Sequence, residues 1–207
     1  VAPPLLVRRV RVLDFEKKGF REEASMLLRD GRVAWIGEEE GRRIPKDAAV
    51  LDAAGRYAVP GLIDAHVHSA WANQMADPDN FIAFGNTAVR DVGGSLDLLN
   101  ALEDRGESTL LPVPRYFYGG EILEGEVPVW GDAFFQIKTE AEARRAVRRL
   151  KDWGSQLVKV YFSVPYDLQN AMADEAQKQG LPLAGHAISF EEMARHVLQG
   201  YAAVEHT

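Results

Sequence analysis

From Pro60 onward, short apolar segments alternate with longer amphipathic ones, and this alternation restricts the fold more than any other feature of the sequence. The predicted strands are residues 61–65, 87–91, 115–118, 157–162, 183–186 and 202–205. Helical patterns lie between them at residues 140–153, 166–179 and 190–198. Strands that alternate with helices favour a parallel sheet with helices packed outside it. The spacing suits either a (β/α)8 barrel or a doubly wound sheet.

The predicted helices carry capping signals at their ends. Thr139 and Ser189 are each followed three residues later by a glutamate, which is the pattern of a capping box. Gly154, Gly180 and Gly200 stand where helices would end. The six predicted strands are two fewer than an eight-stranded barrel needs, and no helix follows the last one. We therefore expect the sequence to be the N-terminal part of a longer polypeptide.

Residues 1–57 follow a different pattern, one of short apolar strands without helices. Predicted strands at residues 23–29 and 32–37 flank Asp30-Gly31, a strong hairpin signal. Further apolar pieces lie at residues 5–15, 50–52 and 57–59. We expect residues 1–57 to form a small β-sandwich module, completed by strands beyond this sequence, and residues 58–207 to form a separate α/β domain.

Composition narrows the class of partner. No apolar run reaches the roughly 18 residues of a membrane span, so no membrane contact is expected. The net charge of −7, without a Lys/Arg block, argues against nucleic acid or an anionic membrane surface as partner. Because the sequence has no cysteine, any metal would be held by nitrogen and oxygen ligands. A cytoplasmic location is expected, or a periplasmic one if a leader before Val1 was removed.

The segment 60–68 places two histidines at the end of the first predicted strand of the α/β domain. His66 and His68 are two residues apart, and residues i and i+2 of a strand point to the same side. Both imidazoles can therefore face one point at the carboxyl end of the strand. This arrangement is what two ligands of one metal ion require.

Other polar residues stand at the ends or centres of later predicted strands. His186 and His206 end two strands, and parallel α/β folds place their sites at this edge. Lys159 lies inside an apolar run, where a charge is costly unless it is paired or removed. Any one of these residues alone could be structural, but their agreement indicates a shared site. His196 lies in the middle of a helix beside Arg195 and is expected to face solvent.

The residues described above resemble motifs of a known protein family. The run Pro-Gly-Leu-Ile-Asp-Ala-His-Val-His at 60–68 resembles the first-strand signature of the metal-dependent amidohydrolase superfamily, and residues 86–94 resemble its second strand. Lys159, His186 and His206 match, in order, the bridging lysine and the strand-five and strand-six histidines of its binuclear members. Within the superfamily the sequence is most similar to the branch that holds prolidase-type dipeptidases. The resemblance implies a TIM-type (β/α)8 barrel of which six strands are present.

The resemblance also implies a ligand set. His66 and His68 would bind one divalent ion, and His186 and His206 would bind a second. Lys159 would be carboxylated by CO2 to a carbamate that bridges the two ions, most simply zinc ions. The implied activity is hydrolysis of an amide bond in a small molecule, a dipeptide or an N-acyl amino acid, by metal-activated hydroxide. A homo-oligomeric assembly is compatible with the sequence.

Further roles follow from the same comparison. The superfamily's catalytic aspartate ends strand eight, so it would lie beyond Thr207, and residues 1–207 alone are expected to be inactive. Asp64 and Asp91 are candidates for orienting the ligands from behind. Tyr161 shares the inward face of its strand with Lys159 and either touches substrate or packs in the barrel. The connection 119–136, which contains Glu121, Glu124 and Trp130, is a candidate cover for the site.

Two alternatives stay open at this stage. One is a mononuclear deaminase or cyclic-amide hydrolase of the same superfamily, which uses His66, His68 and one further histidine. The other is an inactive barrel kept as a scaffold, although a scaffold has no physical need for four histidines and a lysine at one edge.

Overall fold

The computed structural model describes residues 3–71, 74–75, 77–108, 113–127, 129 and 134–206. Their contacts divide the chain into two compact units, Val1–Pro60 and Gly61–Thr207. Within the described residues, no helix is both long enough and apolar enough to cross a membrane.

The first unit is built on one mixed β-sheet. Its strands are β1 (Leu5–Asp14), β2 (Gly19–Arg29), β3 (Arg32–Gly37), β4 (Ala49–Asp52) and β5 (Tyr57–Ala58). The order is β3-β2-β1-β4, and β5 also pairs with β1. Pairing is antiparallel between β1, β2 and β3 and parallel where β4 and β5 join β1. The described residues of this unit form a single sheet, so the second layer of a sandwich stays a prediction.

The hairpin predicted at Asp30-Gly31 is confirmed. Arg29 pairs with Arg32 across the turn, and the two central residues have φ of 52° and 68°. Positive φ at both central residues is what a two-residue turn of this type requires, and glycine adopts it without steric cost.

The second unit has a mixed α/β architecture, as predicted. Its strands are β6 (Leu62–Val67), β7 (Ala70–Trp71), β8 (Gln74–Met75), β9 (Asn86–Asp91), β10 (Arg115–Tyr118), β11 (Leu123–Glu124), β12 (Phe135–Gln136), β13 (Val158–Val160), β14 (Leu183–His186) and β15 (Ala203–Glu205). Its helices are α1 (Pro78–Ala83), α2 (Leu96–Ser108), α3 (Glu140–Asp152), α4 (Tyr166–Gln179) and α5 (Phe190–Leu198). The six predicted strands and three predicted helices are all present, and their ends agree within two residues.

Two parallel sheets carry the longer strands of this unit. One has the order β10-β9-β6 and the other has the order β12-β11-β13-β14-β15. Every ladder in both sheets is parallel. The carboxyl ends of β6, β14 and β15 carry the histidines that the sequence singled out, and the centre of β13 carries the lysine. The described strands do not form one closed ring, so barrel closure stays a prediction.

Helices α3 and α4 hold the five-stranded sheet in place. Leu150 and Met172 of the helices pack against Val158 and Val160 of β13 with none of their surface exposed. Full burial of each such side chain contributes about 1.5–3 kcal/mol. The strand that carries Lys159 is therefore fixed by its apolar neighbours.

The expectation that His196 faces solvent is wrong. Its side chain is 1% exposed, and its ring stacks on Tyr201 with centroids 4.5 Å apart and planes 18° apart. The ring also lies against Gly185 of β14, where an added Cβ would come within 2.5 Å of it. Helix α5 thus turns its histidine toward the sheet, because the glycine leaves room for an aromatic ring there.

Candidate metal centre

His66 and His68 stand together at the carboxyl end of β6. Their ring centroids are 5.3 Å apart. Asp64 lies on the same strand, before both histidines. Its carboxylate accepts the backbone N–H of His66 at 3.2 Å, which supports the main chain at the end of the strand.

Lys159 occupies the centre of β13 and is 1% exposed. No hydrogen-bond partner for its Nζ lies within the described part of the chain. Burial lowers the pKa of the Lys159 ammonium from 10.5 to about 8, although nearby Glu205 opposes this shift. A lysine in such a place is poorly stabilised as a cation.

His186 and His206 bring β14 and β15 into the same cluster. Their ring centroids are 4.1 Å apart, and the His206 ring lies 4.5 Å from the ring of His66. The structure thus gathers the histidines of three strand ends, which come from both sheets, around one place. Cross-sheet convergence of this kind is what a shared site requires.

Three imidazoles of this cluster have lowered pKa values. Burial, together with the neighbouring His206 and Lys159, lowers the pKa of His186 to about 4. Burial also lowers the pKa values of His68 and His206 below their usual range. Neutral imidazole is the form that binds a metal ion.

The backbone at His206 departs from strand geometry. Its φ is +62°, in the left-handed region that non-glycine residues rarely adopt. On a regular strand, Glu205 and His206 would point to opposite faces. Here both reach His66: the Glu205 carboxylate lies 2.6 Å from Nδ1, and the His206 ring stacks edge-on at 4.5 Å.

Two residues that were not predicted from the sequence, Glu205 and Arg90, form hydrogen bonds that support His66. The Glu205 carboxylate accepts from His66 Nδ1 through Oε2 and from Arg90 Nη2 through Oε1, the latter at 2.5 Å. Arg90 Nε donates to the carbonyl of Ala65 at 2.6 Å. Each is a charged residue inside a predicted strand, and this feature of the sequence could have marked both as candidate site residues.

Asp91 fixes the segment around His68. It is fully buried and accepts hydrogen bonds from the backbone N–H and hydroxyl of Ser69 and from the backbone N–H of Gly93. The Gly93 carbonyl lies 2.8 Å from His68 Nδ1. Burial raises the pKa of Asp91, while these hydrogen bonds oppose the shift. Asp91 therefore fixes the backbone segments that carry His68 and its hydrogen-bond partner Gly93.

A cavity of about 300 Å³ opens beside the histidines. It is lined by His68, Trp71, Ile122, Lys159, Tyr161, His186 and His206. Tyr161 is placed in this lining, with its ring 4.5 Å from that of His186. A larger hollow of about 480 Å³ lies between β12 and α3 and contains none of the predicted site residues.

The connection proposed as a cover is described only in part. Glu121 is half-buried, and burial raises its pKa. Glu124 is fully buried, and its carboxylate accepts the backbone N–H of Val129 at 3.2 Å. Trp130 lies outside the described residues.

The nitrogen donors of this cluster suit a divalent cation. Buried side-chain atoms without a hydrogen-bond partner in the described structure include His66 Nε2, His186 Nδ1 and Lys159 Nζ. Buried polar atoms are normally paired, so three of them around one place call for a ligand. Within the described ranges, no three His, Asp or Glu side chains yet form a ready-made site, so binding would draw these side chains together.

Comparison with known proteins gives a consistent answer, although no family model matches the sequence. An imidazolonepropionase of Aromatoleum aromaticum is 31% identical over 169 residues, which are 76% of this chain and 40% of that protein. A putative prolidase from Bifidobacterium longum matches with a TM-score of 0.82 at 22% identity, over 98% of this chain and 54% of the other. A prolidase complexed with N-methylphosphonate-L-proline matches with a TM-score of 0.80 at 22% identity, over 98% and 60%.

The chain spans about half the length of the proteins that it matches. The solved structures share its fold, and the curated relative aligns with three quarters of its residues at 31% identity. Together with the first-strand motif at 60–68, these likenesses identify the family: the chain belongs to the metal-dependent amidohydrolase superfamily.

Proposed function

We propose that the complete protein is a metal-dependent hydrolase of amide C–N bonds with a binuclear site, acting on a dipeptide or an N-acyl amino acid. The observation that carries this proposal is the convergence of four histidines from three strand ends on a buried lysine. The rest of the barrel, and with it the second layer of the N-terminal module, would come from residues after 207.

The ligands divide between the two sheets. His66 and His68 would hold one ion, His186 and His206 the second, and zinc suits these nitrogen donors. Divalent ions, when bound, lower the pKa of a water molecule and polarise a substrate carbonyl.

Lys159 would serve as the bridge after reaction with CO2. The Lys159 ammonium first loses one proton to water, and the neutral Nζ amine then forms a bond to the CO2 carbon. A second N–H proton passes to water, and Nζ then carries a carboxylate. The reaction replaces a buried cation, which has no hydrogen-bond partner in the described structure, with an anion that offers two oxygens to cations. This chemistry would account for a lysine in the middle of an apolar strand.

The lining of the cavity supports a substrate with an apolar part. Trp71 lies 4.8 Å from His68 and 4.9 Å from Phe134, ring centroid to ring centroid, so an aromatic wall begins beside a proposed ligand. Tyr161 adds a further aromatic ring to the lining, and Ile122 adds an aliphatic side chain. An apolar side chain of the acyl group would pack here and thereby orient the scissile bond toward the histidines.

Proton transfer to the leaving amine needs a further group. No carboxylate belongs to the lining of the cavity that the described residues form. We assign this step to the aspartate that the superfamily resemblance places on an eighth strand, after residue 207. Residues 1–207 alone would then bind metal without turning over substrate.

A cyclic-amide hydrolase with one metal ion is the second candidate, and the likeness to an imidazolonepropionase favours it. The number of ions separates the two. A binuclear site requires about two ions per chain, and the alternative requires one. A carbamate on Lys159 is useful for bridging a pair of ions and therefore favours the binuclear site.

The test uses the complete protein. Metal analysis after dialysis should give about two divalent ions per chain, and a panel of dipeptides and N-acyl amino acids should include substrates. His66→Ala should lose metal and activity, whereas His196→Gln, which changes a histidine outside the cavity, should keep both. Unchanged metal content and activity in His66→Ala would refute the proposal.

A further inference from the structure

We propose that Arg90 and Glu205 form a positioning relay for His66, which presents its Nε2 atom to a metal ion. The inference rests on the proposed function, because it concerns the same site. It assigns roles to two residues that are not ligands and that do not line the cavity.

The relay begins with a short contact between a carboxylate and an imidazole. Glu205 Oε2 lies 2.6 Å from His66 Nδ1, and the glutamate is only 6% exposed. A carboxylate accepts hydrogen bonds and does not donate them, so Nδ1 carries the hydrogen and Nε2 keeps its lone pair. Nε2 is also the buried His66 atom for which the described residues provide no partner.

Arg90 holds the carboxylate in place. Its Nη2 donates to the second oxygen of Glu205 at 2.5 Å, while its Nε donates to the Ala65 carbonyl at 2.6 Å. Ala65 directly precedes His66, so the guanidinium is anchored to the strand whose histidine it serves. The planar guanidinium presents donors in a fixed geometry, and this suits it to span two acceptors.

The relay therefore connects three strands. His66 belongs to β6, Arg90 to β9 and Glu205 to β15, and the last of these lies in the other sheet. Hydrogen bonds at both ends of Glu205 restrict the rotation of the imidazole. Partners of this kind behind a metal-binding histidine commonly contribute 10–100-fold to metal affinity.

A purely electrostatic role predicts the opposite result for one substitution. Arg90 is a cation near the proposed cation site, so removing it should tighten metal binding if charge alone matters. If Arg90 positions Glu205 and His66, removing it should weaken metal binding. The sign of the effect of Arg90→Ala thus separates the two explanations.

The experiment measures the affinity of the complete, metal-stripped protein for Zn²⁺ by competition with a chromophoric chelator. Arg90→Ala and Glu205→Ala should each lower the Zn²⁺ affinity of the site that contains His66 about 10–100-fold. Arg90→Lys, which keeps the charge but not the two-acceptor geometry, should shift in the same direction. Circular dichroism establishes whether each variant is folded. If Arg90→Ala does not fold, Arg90→Lys provides the test of the role of Arg90.

Arg21→Ala is the matched control, because Arg21 Nε pairs with Asp14 Oδ2 at 2.7 Å in the other unit. Its affinity for Zn²⁺ should equal that of the wild type. Unchanged or tighter binding by folded Arg90 variants, with a wild type that binds Zn²⁺, would overturn the relay alone. A wild type that binds no divalent ion would overturn the proposed function and the relay with it.

Discussion

Replacing Lys159 with methionine should stabilise the metal-free protein. The ammonium is 1% exposed and has no hydrogen-bond partner among the described residues, so without metal and CO2 only the nearby charge of Glu205 offsets its burial, and only in part. Methionine has a similar length and no charge, and it fits an apolar strand. Exchange of a buried charge for an apolar side chain is often stabilising.

The size of the effect follows from the pKa. Folding lowers the pKa of Lys159 from 10.5 to about 8, so the unfolded chain binds more protons between these values and stability rises with pH across this window. Below pH 8 the full cost applies, about 3 kcal/mol at about 1.4 kcal/mol per tenfold change in the dissociation constant. By pH 10 the same relation leaves a cost of about 1 kcal/mol.

Urea unfolding in chelator and CO2-free buffer measures this difference. Lys159→Met should be more stable than the wild type by about 3 kcal/mol at pH 7 and by about 1 kcal/mol at pH 10. Lys151→Met, at an exposed lysine of α3, should change little at either pH. Equal or lower stability of Lys159→Met at pH 7 would refute the reasoning. The same variant should gain no stability from added Zn²⁺ and bicarbonate, unlike the wild type.

Three further predictions concern the scaffold. Thr139→Ala removes the N-cap of α3 and should cost about 1 kcal/mol in urea unfolding; an unchanged midpoint would contradict the cap assignment. Gly185→Ala brings a Cβ within 2.5 Å of the His196 ring and should cost about 1–3 kcal/mol by thermal unfolding, whereas a neutral result would mean that this packing is loose. Hydrogen bonds with Arg21 and the backbone hold the pKa of Asp14 below 3.8, so its stabilising contribution is full above that pH and is lost as the pH falls through the lowered value. The wild type should therefore lose more stability than Asp14→Asn on acidification below pH 4, and parallel acid titrations of the two proteins would argue against it.

The sequence was sufficient to predict those helices and strands that have a clear local residue pattern. Strand β14 and helix α4 were predicted from an apolar run and an amphipathic pattern, and Gly180 ends α4 in the left-handed conformation as expected. The two-residue strands β11 and β12 were not predicted, because they are defined by pairing with neighbours and not by a pattern of their own.

Local pattern marks Arg90 and Glu205 as charged residues inside strands, but it could not predict that they meet at His66. Arg90 and Glu205 are 115 residues apart, and only the fold brings them together. His196 was misjudged because its polar neighbours in α5 suggested an exposed face, whereas the space left by Gly185 decided its orientation. Tertiary packing determined both outcomes.

The division of the site between two sheets has a consequence for how the protein matures. His66 and Glu205 are 139 residues apart in sequence, so a pair of ions bridged through Lys159 would join β6 to β15 across a loop of about that length. Closing so long a loop costs conformational entropy before any ligand is gained. Metal uptake should therefore be a late event that follows docking of the sheets, and once loaded, the ions would act as a clasp that slows their separation.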